Sequence, residues 1–438
     1  MPGNDLNLDQ LKQLMRAANV TQLYLKRLAE NDNSKNQVYL GPDFTSLNVL
    51  PAGELIGDPE KPERLKAAVN FSWLSSTGSI ETAPHAQLIL YPQYPEVRFS
   101  GFLRGCGSPP NDVMTVRQSG RFLFFGVTAA GHVLGFAASH DSALAREVES
   151  FNLQPDTGVF SQITLEDHMD DRAVLMGELA RIAALEWIDS KRLNSRGAIV
   201  DCNAPNCGGY TLEAELGIRP NGISDPDFRG WEIKQHAVPN LMRPASGGPI
   251  TLMTPEPTGG VYADTGIKEF IRRYGYPDKN IADRRNFGGI HNTLRVCAAT
   301  NLALTLEGYD PATRKIKDFG GGISLVDPKG TAAAIWRYKD LLGHWTRKHA
   351  KAAYVPSIVR KEPRNQYQYG RHVRLAEGTE FRLFLNAVAS GDVYYDPGIK
   401  IVNVSSAKPE IKKRSQFRIR SAAIPLLYTK VTEVDVAS

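Results

Sequence analysis

The strongest constraint in this sequence is a change of texture near residue 150. Before it, apolar residues come in short runs, at 22–28, 37–40, 67–73, 86–91 and 96–103, separated by Asn, Asp, Gly and Pro. Turn residues at such regular spacing specify short strands, as in a sandwich or barrel. One helix precedes them, because Leu8, Leu11, Leu14 and Met15 share a face within residues 7–17. Residues 122–139 are 18 in a row without a formal charge, near the lower limit for crossing a bilayer. The break at Ala129-Ala130-Gly131 favours two buried strands joined by a turn. The polar stretch 150–160 closes the region, so residues 1–150 are expected to form a mainly β domain.

After that stretch the pattern mixes. Residues 164–192 read as a long amphipathic helix or helix pair, and 210–216 as another helical piece. Further strands and helices are expected across 266–274, 289–307, 330–349 and 379–388. Residues 155–438 are therefore expected to form an α+β or α/β domain. Four cysteines are too few for a disulfide-stapled secreted scaffold. The start of the chain lacks a basic segment followed by an apolar one, so a cytoplasmic, soluble protein without a membrane partner is expected. A net charge of +5 permits a polyanionic partner without demanding one.

The chemistry-bearing stretch is 208–236, GGYTLEAELGIRPNGISDPDFRGWEIKQH. Read as a strand, residues 231–236 put Glu232, Lys234 and His236 on one face, and Trp231, Ile233 and Gln235 on the other. Two strand residues span about 6.6 Å, so Glu232 and Lys234 can address one substrate atom. Asp227 lies just upstream, across the Arg229-Gly230 turn, and Glu213 sits in the preceding helix. Carboxylates in this arrangement suit a hard cation such as Mg²⁺, which polarises a phosphodiester and activates water. A lysine beside that water stabilises hydroxide and the developing charge. The expected ligands are Asp227 and Glu232, with Glu213 as an outer or second-metal ligand and Lys234 as partner of the nucleophilic water. A solvated edge strand after an acidic turn explains the same residues without chemistry.

Thr211-Leu212-Glu213, Gly217, Pro226-Asp227 and Gly230-Trp231-Glu232-Ile233-Lys234 together resemble the MvaI/BcnI family of restriction endonucleases. That family is related to the MutH mismatch-repair nickase and lies within the PD-(D/E)xK nuclease fold. The similarity continues through 394–398 (YYDPG) and 414–418 (RSQFR). It implies a PD-(D/E)xK nuclease domain over residues 155–438, with Glu213, Asp227, Glu232 and Lys234 in the active site. It further implies a monomeric, Mg²⁺-dependent type II enzyme cutting double-stranded DNA at a CC-x-GG-like target. Residues 24–32 with Gln37-Val38 are similar to the start of an EcoRII-type effector domain, a B3-like DNA-binding barrel. Two alternatives stay open: a MutH-like strand-nicking enzyme, and a DNA-binding regulator without turnover.

Phosphate neutralisation by clustered cations drives DNA affinity. Residues 412–420 hold five cations in nine positions, among them Arg414 and Arg418 flanking Gln416. Residues 359–374 carry Arg364 and Arg371 among tyrosines, and Arg284, Arg285 and His291 lie in a glycine-containing loop that could enter a groove. Arg and Gln pair bidentately with guanine and adenine edges. His236 is a further candidate, as base or phosphate contact or as a packed histidine. In the first domain Lys26, Arg27, Arg98 and Arg104 are the candidates. Cys202 and Cys207 have zinc-finger spacing but no second close pair, so reduced structural thiols are expected. The sequence has no Walker A loop, no G-x-G-x-x-G after a strand, no H-E-x-x-H and no nucleophile elbow, so no nucleotide cofactor is expected.

Overall fold

The computed structural model describes all residues except 1–5, 31–35, 92–95, 166–170, 220–225, 245–246, 346–348, 407 and 438, and the side chains of 62 and 63. Asn31 and Asp32, the Pro/Asn/Gly turn at 220–222 and residues 166–170 of the expected long helix lie outside the described residues. The chain divides into two compact units, Met1–Asp170 and Asp171–Ser438. The division falls later than the 150–155 boundary because strand Ser161–Ile163 pairs with Val20–Leu28.

The first unit holds two open sheets, and no closed barrel forms among the described strands. Strands Arg121–Thr128 and Val133–Ala138 make the expected hairpin. Both faces of this hairpin are covered, which explains its unbroken apolar run. Phe124 and Phe136 meet Leu8, Leu11 and Met15 of helix Leu8–Ala17, together with Leu144 and Val148. Phe125, one residue on and so on the opposite face, meets Phe71 and Phe99. Gly135 has no room for a side chain, since a Cβ there would lie 2.2 Å from the Phe71 ring. The apolar run at 67–73 is not one strand. It breaks at Val69-Asn70 into Lys61–Ala68 of one sheet and Phe71–Leu74 of the other.

In the second unit, strand Lys351–Arg360 is the pivot. His372–Thr379 and Gln366–Tyr369 pair with it antiparallel, Tyr428–Asp435 extends the sheet, and Glu232–Ala237 pairs with it in parallel. Helices Asp171–Ala184 and Cys207–Glu215 cover one face through Leu175, Leu179, Ile182 and Leu212, packed on Ile233, Ala353, Val355 and Leu375. The helix expected to run to 192 stops at Ala184. Glu186 takes a positive φ of 53°, and the apolar pattern then switches to short strands Ile188–Asp189 and Lys191–Leu193. Smaller sheets follow, including Pro249–Met253 with Phe417–Arg420 and Val393–Tyr395. Among the described residues no helix is long and apolar enough to cross a membrane.

Candidate active site

The Glu232–Ala237 strand gains its two faces from its pairing. Its register is Glu232↔Ala352, Lys234↔Tyr354 and His236↔Pro356. Ile233 is buried in the core under the two helices, and Gln235 donates to Ser357 Oγ at 2.7 Å. By strand alternation Glu232, Lys234 and His236 lie on the opposite face. There Lys234 Nζ donates to Glu232 Oε1 at 2.5 Å. The carboxylate is buried, 2% exposed, while the lysine side chain is 18% exposed. One end of the ion pair is thus sealed and the other reaches water.

The preceding turn returns Asp227 to the strand. Phe228 and Trp231 exchange backbone hydrogen bonds at 2.9 and 2.8 Å. Arg229 and Gly230 between them have φ of 45° and 81°, the signature of a tight two-residue reversal in which the second position favours glycine. Asp227 Oδ2 then accepts the Ile233 N–H at 3.1 Å. Asp227 is thereby fixed to the backbone immediately after Glu232.

Glu213 sits in the last turn of helix Cys207–Glu215. Ile218 N donates to Glu213 O at 2.8 Å and Gly217 N to Ala214 O at 3.2 Å, with Gly217 at φ 72°. This is the Schellman end that a glycine permits, and it accounts for Gly217. Among the described residues no three His, Cys, Asp or Glu side chains gather closely enough to hold a metal ion. Glu213 therefore does not complete a preformed cage with Asp227 and Glu232. The donor set still suits Mg²⁺, which usually takes one or two carboxylates and completes its shell with water and substrate phosphate.

Sequence reasoning missed two tyrosines around this face and read a third group, Arg374, only as one cation of the 359–374 cluster. Tyr354 and Tyr428 are fully buried and share a hydroxyl hydrogen bond of 3.0 Å. Burial, reinforced by the Glu232 charge, holds both phenols above their ordinary pKa. Arg374 is 6% exposed and donates to Glu433 at 2.9 Å and Ser421 O at 2.8 Å. All three come from distant strands, so no local spacing announces them.

The DNA-contact candidates divide by their surroundings. His236 is 5% exposed and its Nε2 meets Pro244 O at 3.1 Å. Burial pushes its pKa down to about 4, so it is a packed, neutral histidine. His291 is also corrected: it is fully buried, hydrogen-bonded to Thr300 Oγ1 at 2.8 Å and stacked on Phe287. Arg284 pairs with Asp278, and Arg285 donates to the Gly275 and Arg272 carbonyls. Arg418 pairs with Asp396 at 2.7 Å, and Gln416 is buried and accepts from Arg414 and Thr251. Arg364 and Arg371 are exposed and ion-paired with Asp189 and Asp435.

In the first unit Lys26 is 8% exposed, and burial lowers its pKa to about 8. With Arg98, Arg121, Gln37 and Tyr39 it lines a cavity of about 450 Å³. Arg27 pairs with Glu149 at 2.7 Å, and Arg104 is exposed. Cys202 and Cys207 are not reduced thiols but form a disulfide, Cα–Cα 5.7 Å, at the start of the Glu213 helix.

The site thus holds a buried carboxylate–lysine pair on a strand that follows a turn-fixed aspartate. The model of the MvaI/BcnI restriction endonuclease family matches residues 176–428, more than half of the chain, and the chain belongs to that family. It is a type II site-specific deoxyribonuclease, of a family that binds double-stranded DNA and generally uses divalent metal ions. The chain is similar to the restriction endonuclease MvaI in its complex with cognate DNA, at 17% identity and a TM-score of 0.46, covering 61% of this chain and 99% of that one. MvaI in the absence of DNA aligns at 16% identity and a TM-score of 0.35, with the same coverage. No curated protein sequence matches the chain.

Proposed function

We propose that the enzyme is a monomeric, Mg²⁺-dependent endonuclease that hydrolyses double-stranded DNA at a CC-x-GG-like target. The observation that carries this reading is the Lys234–Glu232 pair, sealed at its carboxylate and open at its ammonium, beside Asp227. Asp227 and Glu232 would hold Mg²⁺, with Glu213 as an outer or second-metal ligand. When bound, the metal supplies charge to the scissile phosphate and lowers the pKa of a water. Lys234 would present its ammonium where the phosphate gains negative charge. Glu232 anchors that ammonium, and the Ile233 N–H orients Asp227. Preorganised donors of this kind avoid reorganisation at the moment of reaction.

We further infer that the first unit adds affinity through Lys26, Arg27, Arg98 and Arg104. The cavity lined by Lys26, Arg98 and Arg121 supports this, since three cations meet a single carboxylate, Glu30, around it. Among the target-contacting groups, exposed Arg364, Arg371 and Arg414 would reach phosphates. Arg418 and Gln416 would read base edges after rearranging their present partners. Digestion of DNA of known sequence with Mg²⁺, followed by end mapping, tests the reading. Breaks in both strands within CC-x-GG sites support it. A nick in one strand of each duplex supports the MutH-like alternative, and binding without cutting across sequences and metals supports the regulator.

A further inference from the structure

Residues 284–295 were expected to form a loop that enters a DNA groove through Arg284, Arg285 and His291, yet those side chains are held by protein partners, and the loop that follows the strand Arg284–Gly288 spans 289–302. What the loop presents is different. Of its fourteen residues, Leu294 is 71% exposed, Val296 52% and Ile290 44%, an unusual concentration of bare aliphatic groups in one short segment. Between two of them stands exposed Arg295, the only formal charge in the loop. Clustered exposed apolar side chains mark contact surfaces, whereas single ones need no explanation.

The loop is also built to hold these residues outward. His291 and Tyr395 exchange two backbone hydrogen bonds of 2.9 Å. Asn292 Oδ1 accepts from the N–H groups of Leu294 and Arg295 at 3.1 and 3.2 Å. Thr293 Oγ1 donates to the carbonyls of Val388 and Ala389. Cys297 closes the far side through Leu302 O at 2.9 Å. Leu294 itself leans on Gly391, where an added Cβ would come within 2.8 Å of Leu294 Cδ1. The leucine is therefore seated at its base and bare at its tip. The neighbouring strand Val393–Tyr395 leads directly to Asp396, the partner of Arg418.

We propose that this loop is a preformed DNA wedge, in which Leu294 enters between base pairs of the bound duplex while Arg295 meets the adjacent phosphate. Leucine is one of the side chains that unstack a base step and kink a duplex. A tip already fixed before binding loses little conformational freedom on insertion. The occupant is duplex DNA because a lone cation between aliphatic groups, with no carboxylate in the loop, matches a stack of apolar bases edged by phosphates. The proposal rests on the duplex-DNA reading above.

The test uses the full-length Lys234→Ala protein, which is expected to bind without cutting, and a duplex carrying the mapped target. A fluorescent base analogue replaces each base of the target in turn. Binding should raise the fluorescence at one step, by unstacking. Leu294→Ser in the same background should abolish that rise, and Leu294→Met, which keeps the wedge, should retain it. Arg295→Ala should lower the slope of log affinity against log salt by about 1. No fluorescence change at any step, or an unchanged rise in Leu294→Ser, overturns the wedge while leaving the nuclease reading intact. A chain that forms dimers through this loop with no base signal also overturns it. Absence of any duplex binding or cutting by the unsubstituted enzyme overturns the nuclease reading itself, and the wedge with it.

Discussion

Replacing Lys234 by Met tests the role of the ion pair in two independent ways. Glu232 is sealed from solvent and its Oε1 lies 2.5 Å from the ammonium. At an effective dielectric of about 20 that separation corresponds to an attraction of roughly 6–7 kcal/mol, most of it offset by the loss of hydration on burial. Removing one partner of such a pair costs on the order of 3–5 kcal/mol. The lower end applies here, because 18% of the lysine side chain reaches water. At roughly 2–4 °C per kcal/mol for a unit of this size, the melting temperature of the second unit should fall by about 6–12 °C. Glu232→Gln with Lys234→Met removes both charges and should recover most of the loss, with a coupling energy of about 2–3 kcal/mol. Cutting should behave differently. Lys234→Met should lower kcat by about a hundred- to a thousand-fold, and the double variant should stay inactive. Calorimetry and plasmid cleavage on the four proteins of the cycle measure both effects. A double variant as unstable as Lys234→Met, or one that regains activity with stability, refutes the reasoning.

Other perturbations give further expectations. His236 has its pKa lowered from 6.5 to about 4, so on acidification the unfolded chain takes up this proton first. The stability it contributes above pH 6.5 should be lost progressively down to about pH 4, on the order of 3 kcal/mol in total; His236→Phe should flatten that part of the pH profile. Lys26, lowered from 10.5 to about 8, opposes folding of the first unit at neutral pH. Lys26→Met should stabilise that unit by about 2–3 kcal/mol at pH 7, a gain that disappears towards pH 10.5, while DNA affinity falls. Gly217→Ala forces a side chain into the left-handed conformation and should cost about 1 kcal/mol, with reduced cutting if the Glu213 helix end shifts. A chelator should stop cleavage reversibly and lower the melting temperature only slightly, by the small binding free energy of the ion, because the Glu232 charge is already balanced by Lys234 in the metal-free protein.

The features legible in the sequence are those set by neighbours along the chain. The 121–138 hairpin follows from two apolar runs around a glycine turn, and helix Leu8–Ala17 from its periodicity. The Asp227 turn and the alternation of Glu232 with Lys234 are equally local, which is why their shared face was visible as spacing, whereas their pairing with each other was not. Partners supplied from afar were not. His291 reads as a loop histidine until Phe287, Thr300 and Tyr395 close around it. Arg284 and Arg418 look available until Asp278 and Asp396 appear beside them. Burial of the Tyr354–Tyr428 pair depends on two strands 74 residues apart in sequence. The break at Val69-Asn70 had no periodic signal, because both halves are apolar and differ only in the sheet they join.

The most direct measurement of the central claim compares the unsubstituted protein with Lys234→Ala on one supercoiled plasmid in Mg²⁺, with DNA binding recorded alongside. The expected result is discrete linear products from the unsubstituted protein, and none from Lys234→Ala despite retained binding. Cleavage by Lys234→Ala at an undiminished rate would contradict a catalytic role for the Glu232–Lys234 pair.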